Sequence, residues 1–257
     1  MHKLKKVTRN VKLYYKMEGL KLKLLVHKMC PFAERALLAL AFKNIEAEIV
    51  EVDLTEKSEE LLEVNPKGQV PSLQIVRDGV TYNTAESLFI AEYFDSFPGP
   101  SLFPQRDGQR DPVAKLVISL FIETKTSFIP GFYKLFFGNH SPESIEALHA
   151  ALQVYEDALS ADKFFLSDKL GTDSATFLDV AVLPHIERLH AFKDTVWSGV
   201  DVDKYVNLWR WYDRITSLEW VQRFKVAAHR YVNLQKRISA GDQGLKLPLE
   251  YYDQEVN

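Results

Sequence analysis

At 257 residues, 46% hydrophobic and 12% aromatic, with a net charge of −3, the chain has apolar mass for one large domain or two small ones. The near-neutral balance argues against a nucleic-acid partner, and the longest apolar run, residues 36–42, falls far short of the roughly 20 residues of a spanning helix. One cysteine excludes an internal disulfide, a Cys-rich zinc site and a two-cysteine redox pair, and points to a reducing compartment, most simply the cytoplasm.

The first 30 residues are basic, with Lys3, Lys5, Lys6, Arg9, Lys12, Lys16, Lys21, Lys23 and Lys28 against Glu18. Without a long amphipathic face or an apolar leader, residues 1–20 read as a solvated extension rather than an organelle address or a secretory signal. From residue 21 the pattern alternates. Residues 22–27 are a short apolar strand and 31–43 a helix opened by Pro31. Residues 48–54 read as strand and 56–64 as a short polar helix. Residues 72–76 and 80–82 flank Asp78-Gly79 as a hairpin, and 85–97 read as helix. That is a compact βαβαββα unit over 21–98. Phe97-Pro98-Gly99-Pro100 breaks the pattern, so 99–109 read as linker.

The rest of the chain is helical in pattern, with no strand of comparable strength. Helices are expected at 111–128, 142–160, from Thr176 to about 192, at 203–216 and at 219–234. Pro130-Gly131 should end or kink the first, and Pro184 should kink the one opened by the Thr176-x-x-Asp179 capping pattern. The aromatic stretch Phe132, Tyr133, Phe136, Phe137 reads as core before it reads as an acceptor pocket. An all-helical domain over 110–235 is expected, then a polar tail over 236–257.

Three strings carry chemistry. Met29-Cys30-Pro31-Phe32-Ala33-Glu34-Arg35 puts the cysteine at a helix N-terminus, where unpaired N–H groups and the helix dipole favour thiolate over thiol. A buried, inert cysteine is the commoner fate of such a residue, but the strand-to-helix position favours reactivity here. Ala33 stands where a resolving cysteine would be, so an external thiol must resolve any mixed disulfide. His27, three residues earlier, reads as a strand-end histidine before it reads as a thiolate partner. In Asn65-Pro66-Lys67-Gly68-Gln69-Val70-Pro71-Ser72 a proline precedes a core strand; a cis bond turning the Val70 backbone toward a ligand would explain it, as would an ordinary turn. In Asn83-Thr84-Ala85-Glu86-Ser87, Ser87 and the helix N–H groups would hold a carboxylate and Glu86 an ammonium, or Thr84 and Ser87 simply cap the helix.

In order and spacing the three strings resemble the glutathione transferase superfamily, most closely its omega class, with the plant lambda and dehydroascorbate-reductase groups nearby. The resemblance covers residues 20–235. It implies an α+β, two-domain fold: a thioredoxin-like βαβαββα domain, then an all-α bundle. It implies catalysis by Cys30 through a mixed disulfide with glutathione as co-substrate, and no prosthetic group or metal. Phe32 would pack beside the sulfur, Val70 and cis-Pro71 would hold the cysteinyl part, Glu86 and Ser87 the γ-glutamyl end, and Lys57 the glycine carboxylate. Arg188 and Tyr231 fall where omega enzymes line the second-substrate pocket. The acceptor would be a small disulfide, dehydroascorbate or a glutathionylated protein, and the assembly a homodimer, without nucleic acid or membrane. Conjugation of glutathione to electrophiles is the rival inside the superfamily. Intracellular chloride channel proteins share the fold and the Cys-Pro-Phe string, which leaves a non-enzymatic or scaffold role as the other rival. Hydrolase, zinc-protease and nucleotide readings have no anchoring motif.

Overall fold

The structure, a computed structural model, describes residues 4–9, 12–17, 19–125, 128–242 and 244–255, with the backbone alone before residue 19. Lys3 and Glu18 of the basic run lie outside the described residues. Two compact units emerge: residues 1–100 with Gly244–Pro248, and residues 101–243 with 249–257.

Within the basic extension two strands pair. β1 (Leu4–Arg9) and β2 (Lys12–Met17) form an antiparallel ladder with Leu4 opposite Met17. Val7, Thr8, Leu13, Tyr14 and Tyr15 are strand-forming types, and they outweigh the charge pattern that suggests a loose segment.

The main sheet of the first unit holds β3 (Leu20–Val26), β4 (Glu48–Glu51), β5 (Ser72–Arg77) and β6 (Val80–Thr84), in the order β4-β3-β5-β6. β3 runs parallel to β4 and antiparallel to β5, with Leu25 opposite Ser72. Asp78-Gly79, both at positive φ, turns β5 into β6 as expected. Helix α1 (Pro31–Lys43) follows β3, α2 (Glu59–Val64) follows β4, and α3 (Ser87–Asp95) follows β6. The core is made where α1 packs on α3: Ala33, Ala36, Leu37, Leu40, Ile90, Ala91 and Phe94 are buried with Leu24, Leu25 and Leu73 of the sheet. Lys43 ends α1 with its ammonium on the Pro100 carbonyl at 2.6 Å.

The second unit is helical apart from β7 (Gln105–Arg106) and β8 (Gln109–Arg110), a two-residue hairpin that the sequence pattern does not reveal. Its turn, Asp107-Gly108, has both φ angles positive, the same signal as Asp78-Gly79 on strands too short to show alternation. Then come α4 (Pro112–Lys125), α5 (Phe128–Phe136), α6 (Pro142–Asp157) and the short α7 (Ser167–Leu170). The expected helix over 111–128 crosses residues 126–127, outside the described residues, and Pro130 sits in the first turn of α5, where its missing N–H costs nothing. α8 (Phe177–Lys193) runs on through Pro184, where the sequence predicts a kink. α9 (Val206–Thr216) matches expectation, whereas the helix over 219–234 is two: α10 (Glu219–Gln222) and α11 (Ala228–Ser239). A 3-10 turn at Leu249–Asp253 packs on α11, with Tyr252 buried and its carbonyl receiving Asn233 Nδ2 at 2.9 Å.

α8 is buried almost all round, the mark of a helix at the centre of its unit. Its N-terminus holds the unit together. Buried Asp179 takes the Thr176 N–H at 2.6 Å and the Thr176 hydroxyl at 2.9 Å. It also takes the Phe165 N–H at 3.1 Å and the Trp211 indole N–H at 2.7 Å. One carboxyl thus joins the start of α8, the loop before α7 and α9. Asp179→Ala should leave these buried donors unmet and cost on the order of 3 kcal/mol or more; chemical denaturation followed by tryptophan fluorescence measures it, with loss of soluble protein the extreme result.

Candidate active site

The end of β3 delivers Cys30. After Val26 the chain turns through His27 to Cys30, closed by the Cys30 N–H donating to the His27 carbonyl at 2.8 Å. Cys30 is the N-cap residue of α1, with extended backbone and Pro31 at the first helical position. The helix bonding begins at once, the Glu34 N–H donating to the Cys30 carbonyl at 3.0 Å. The thiol is 8% exposed and lies 3.8 Å from the Val70 carbonyl oxygen, toward which it donates. The sulfur therefore sits where the unpaired N–H groups and positive dipole end of α1 act on it.

Cys30, Phe32, Lys57, Val70, Pro71, Glu86 and Ser87 line one cavity of about 420 Å³. Leu54, Asn65, Gly68, Gln69 and Ala85 line it too. The sequence signal for Asn65 and Gly68 is their place in the Val70-Pro71 string, which by itself assigns neither a role. Leu54 carries no signal of its own.

The Val70–Pro71 bond is cis, as one of the two sequence readings requires. Asn65 holds this loop in shape. Its amide donates to Gln69 O and to Ser72 Oγ, both at 3.1 Å, and its side-chain oxygen accepts the Lys67 N–H at 3.1 Å. Among the described residues the Val70 N–H meets no acceptor. Gly68 has φ +60, and a Cβ there would fall 2.5 Å from Lys57 Cδ. The glycine therefore lets the Lys57 side chain cross the loop, and its ammonium reaches the Lys67 carbonyl at 3.4 Å.

At the third wall, Glu86 is the N-cap of α3 with φ +70, and its side chain makes no capping bond. For a non-glycine residue that backbone costs on the order of 1–3 kcal/mol and is found mostly at functional sites. The alternative reading would cap the helix with Thr84 and Ser87; the Thr84 hydroxyl donates to the Ala85 carbonyl at 3.3 Å. Ser87 is buried, and Arg35 Nη1 donates to its hydroxyl at 3.4 Å while the guanidinium stacks 5.2 Å over Phe32. Arg35 thus links two walls of the cavity. It stands in the Cys30 string, but nothing in the sequence shows that it turns inward.

His27 is fully buried and does not face the thiol. Its Nδ1 accepts the Met29 N–H at 3.2 Å, and Nε2 meets the Lys246 carbonyl at 3.0 Å. Those partners fix the neutral tautomer with its proton on Nε2. Burial lowers its pKa, against the pull of the Lys246 carbonyl and the Glu51 and Asp53 charges. Asp53 begins the loop that carries Leu54 and Lys57. Burial alone would raise it, but hydrogen bonds from Thr55, Glu56 and Leu247 prevail and hold it well below the usual carboxylate range.

Arg188 and Tyr231 are brought together, but in the helical unit. The guanidinium lies 4.3 Å over the tyrosine ring, whose hydroxyl donates to Glu187 at 3.2 Å. At 3% and 1% exposure they offer a second substrate almost no surface, and their contacts are those of packed core. Phe132 and Phe136 are buried against Phe192, as the core reading expects, while Phe137 is exposed.

Residues 29–96 match the family description "Glutathione S-transferase, N-terminal domain", and residues 138–214 match "Glutathione S-transferase, C-terminal domain". A pyrimidodiazepine synthase of Drosophila melanogaster is 32% identical over 225 residues, covering 86% of this chain and 87% of its own. Glutathione S-transferase omega-1 of Mus musculus is 31% identical over 170 residues, 65% of this chain and 66% of its own. The crystal structure of rice GST1 in complex with glutathione superposes with a TM-score of 0.74 over 87% of this chain and 98% of its own, at 24% identity, a likeness of fold.

His27 and Asp53 both contribute to a pH dependence, and His149 and His190, also lowered by burial, add to it in the same range as His27. A folded pKa below the unfolded one contributes stability that is complete above the unfolded pKa and lost as pH falls toward the folded one. For His27 the loss begins near about pH 6.5, and for Asp53 only near about pH 4. The thermal unfolding midpoint should fall between about pH 7 and pH 5, and His27→Gln, which cannot titrate, should flatten that decline.

Proposed function

This chain belongs to the glutathione S-transferase superfamily and is omega-like within it, and we propose that it is a monothiol glutathione-dependent thiol transferase working through Cys30. The observation that carries the reading is Cys30 at the N-cap of α1, opening onto a cavity shared with cis-Pro71, Glu86 and Ser87. The Cys30 thiolate attacks the glutathionyl sulfur of a mixed disulfide; the old S–S bond breaks and the acceptor leaves as a thiolate that takes a proton. A glutathione thiolate then attacks the Cys30–glutathione disulfide, leaving oxidised glutathione and regenerating the Cys30 thiolate. Ala33, buried at the position of a resolving cysteine, leaves this second step to the external thiol. Small mixed disulfides and glutathionylated proteins are the acceptors these steps suit, in the thiol-rich cytoplasm. With dehydroascorbate the Cys30 thiolate would instead add to a carbonyl carbon, and a glutathione thiolate would attack the Cys30 sulfur and release ascorbate with uptake of a proton. A second glutathione would resolve the resulting Cys30–glutathione disulfide.

Glutathione fits the cavity in one direction. Its cysteinyl part pairs with the Val70 backbone, whose N–H has no partner among the described residues. Its γ-glutamyl ammonium pairs with Glu86 and its carboxylate with Ser87 and the N–H groups opening α3. Its glycine carboxylate pairs with Lys57, and Phe32 packs beside the sulfur. In conjugating relatives a hydroxyl leads at the place of Cys30; a cysteine there holds glutathione covalently, which favours reduction over conjugation. No described helix is long and apolar enough to cross a membrane.

We also propose a homodimer. On α4, Val113, Leu116 and Leu120 form an apolar stripe at steps of three and four residues, 57–67% exposed, and Phe89 on α3 is 70% exposed. An exposed apolar stripe of this kind marks an association surface.

Cys30→Ser should reduce glutathione-dependent turnover of hydroxyethyl disulfide to background; full activity would sink the mechanism. Glu86→Ala should weaken glutathione binding about tenfold, about 1.4 kcal/mol, by calorimetry. Leu116→Glu should shift the mass seen by light scattering to that of one chain.

A further inference from the structure

We infer that the C-terminal segment Gly244–Pro248 is part of the active-site scaffold, and that His27 is the positioning residue through which it sets the Cys30 turn. The inference rests on the thiol transferase reading only for its consequence in turnover.

Three successive residues of the segment each make a hydrogen bond into the unit that carries Cys30. The Leu54 N–H donates to the Leu245 carbonyl at 2.8 Å. His27 Nε2 donates to the Lys246 carbonyl at 3.0 Å. The Leu247 N–H donates to Asp53 Oδ2 at 2.8 Å. Gly244, at φ +75, passes so close to Thr55 that a Cβ would fall 2.4 Å from its methyl. The segment therefore braces two loops at once: the turn from β3 to α1, and the loop from β4 to α2 that supplies Leu54 and Lys57 to the cavity.

The imidazole couples the first of these to the thiol. His27 closes the Cys30 turn twice, with its carbonyl on the Cys30 N–H and its Nδ1 on the Met29 N–H. A ring that accepts at Nδ1 must carry its proton at Nε2, and that proton is what the Lys246 carbonyl receives. One tautomer thus satisfies the turn and the C-terminal segment together. Asp53 does the same on the other loop: Oδ1 gathers the Thr55 N–H at 2.7 Å and the Glu56 N–H at 2.9 Å, while Oδ2 takes the segment. Held this way, Cys30 keeps its cap geometry over the N-terminus of α1. Released, it should behave more like a free thiol.

The single cysteine makes the test direct, because alkylation by iodoacetamide reads Cys30 alone. The pH profile of alkylation and hydrogen exchange of residues 245–247 are measured in wild type, Gly244→Ala, His27→Asn and His27→Gln. Gly244→Ala displaces the segment from a distance; His27→Asn keeps an acceptor near Met29 but no longer reaches Lys246; His27→Gln reaches Lys246 with its terminal amide. Gly244→Ala and His27→Asn should speed exchange at 245–247 at least about threefold and move the alkylation midpoint up by about half a pH unit or more, toward the free-thiol value. His27→Gln should stay nearer wild type in exchange than His27→Asn. A segment that exchanges freely above an unchanged alkylation profile overturns the inference, as does exchange unchanged in both disrupting variants. If Gly244→Ala does not fold, the His27 pair decides alone. Alkylation does not depend on turnover, so an active Cys30→Ser protein would refute the thiol transferase reading without touching this one.

Discussion

Leu25 lies opposite Ser72 in the antiparallel pairing of β3 with β5, and the cavity depends on that register. Continuing past Val26 on one strand and back from Ser72 on the other brings the Cys30 turn beside Val70 and Pro71. A slip of one residue would reverse which face each side chain meets and separate the thiol from the Val70 carbonyl. The register is held by burial: Leu24, Leu25 and Leu73 are fully enclosed, so no alternative pairing keeps the same core. Elements from distant parts of the chain then need only to meet the end of one strand.

Side chains and backbone conformations shape the walls of the cavity in different ways. Asn65 takes up three hydrogen bonds within its loop, and the Val70 N–H meets no acceptor among the described residues. Gly68 yields space, and Lys57 crosses it. Glu86 accepts an unfavourable backbone, and its carboxylate stays off the helix end it caps. In the helical unit Asp179 gathers donors from three elements. Such sites are rigid because nearly every polar atom has one arrangement that satisfies it.

Much of this architecture is legible in the sequence, for identifiable reasons. The strands and helices of residues 21–98 announce themselves because periodicity changes cleanly from apolar runs to helical spacing, with Asp78-Gly79 and the Pro-Gly-Pro break as punctuation. Of the cavity residues, Cys30, Phe32, Val70, Pro71, Glu86 and Ser87 are legible because they sit in short strings at element ends, whereas Lys57 is placed by the resemblance alone. What stays hidden is long-range or very short. The β7–β8 hairpin has too few residues to show alternation. The stretch over 219–234 looks periodic, but α10 ends at Gln222 and α11 begins only at Ala228. Resemblance assigns Arg188 and Tyr231 to a pocket, but that the guanidinium packs over the tyrosine ring is not visible in the sequence. The partner of His27 lies more than two hundred residues away at Lys246, and no local pattern encodes that contact.

The return of residues 244–248 to the first unit also orders events in time. The ribosome releases the β-sheet, α1, α2 and α3 long before it reaches Leu245, so the part of the protein that holds the Cys30 thiol is synthesised early and completed only after residues 101–243. Until then His27 has no carbonyl for its Nε2 proton, and Asp53 has an empty oxygen. The nascent first unit would therefore carry a loosely held thiol, and the long closure that braces it waits until the chain has passed through residues 101–243 of the helical unit. A chain truncated between Ser87 and Gly244, by a frameshift or a protease, would possess every residue of the cavity and still lack the piece that braces it.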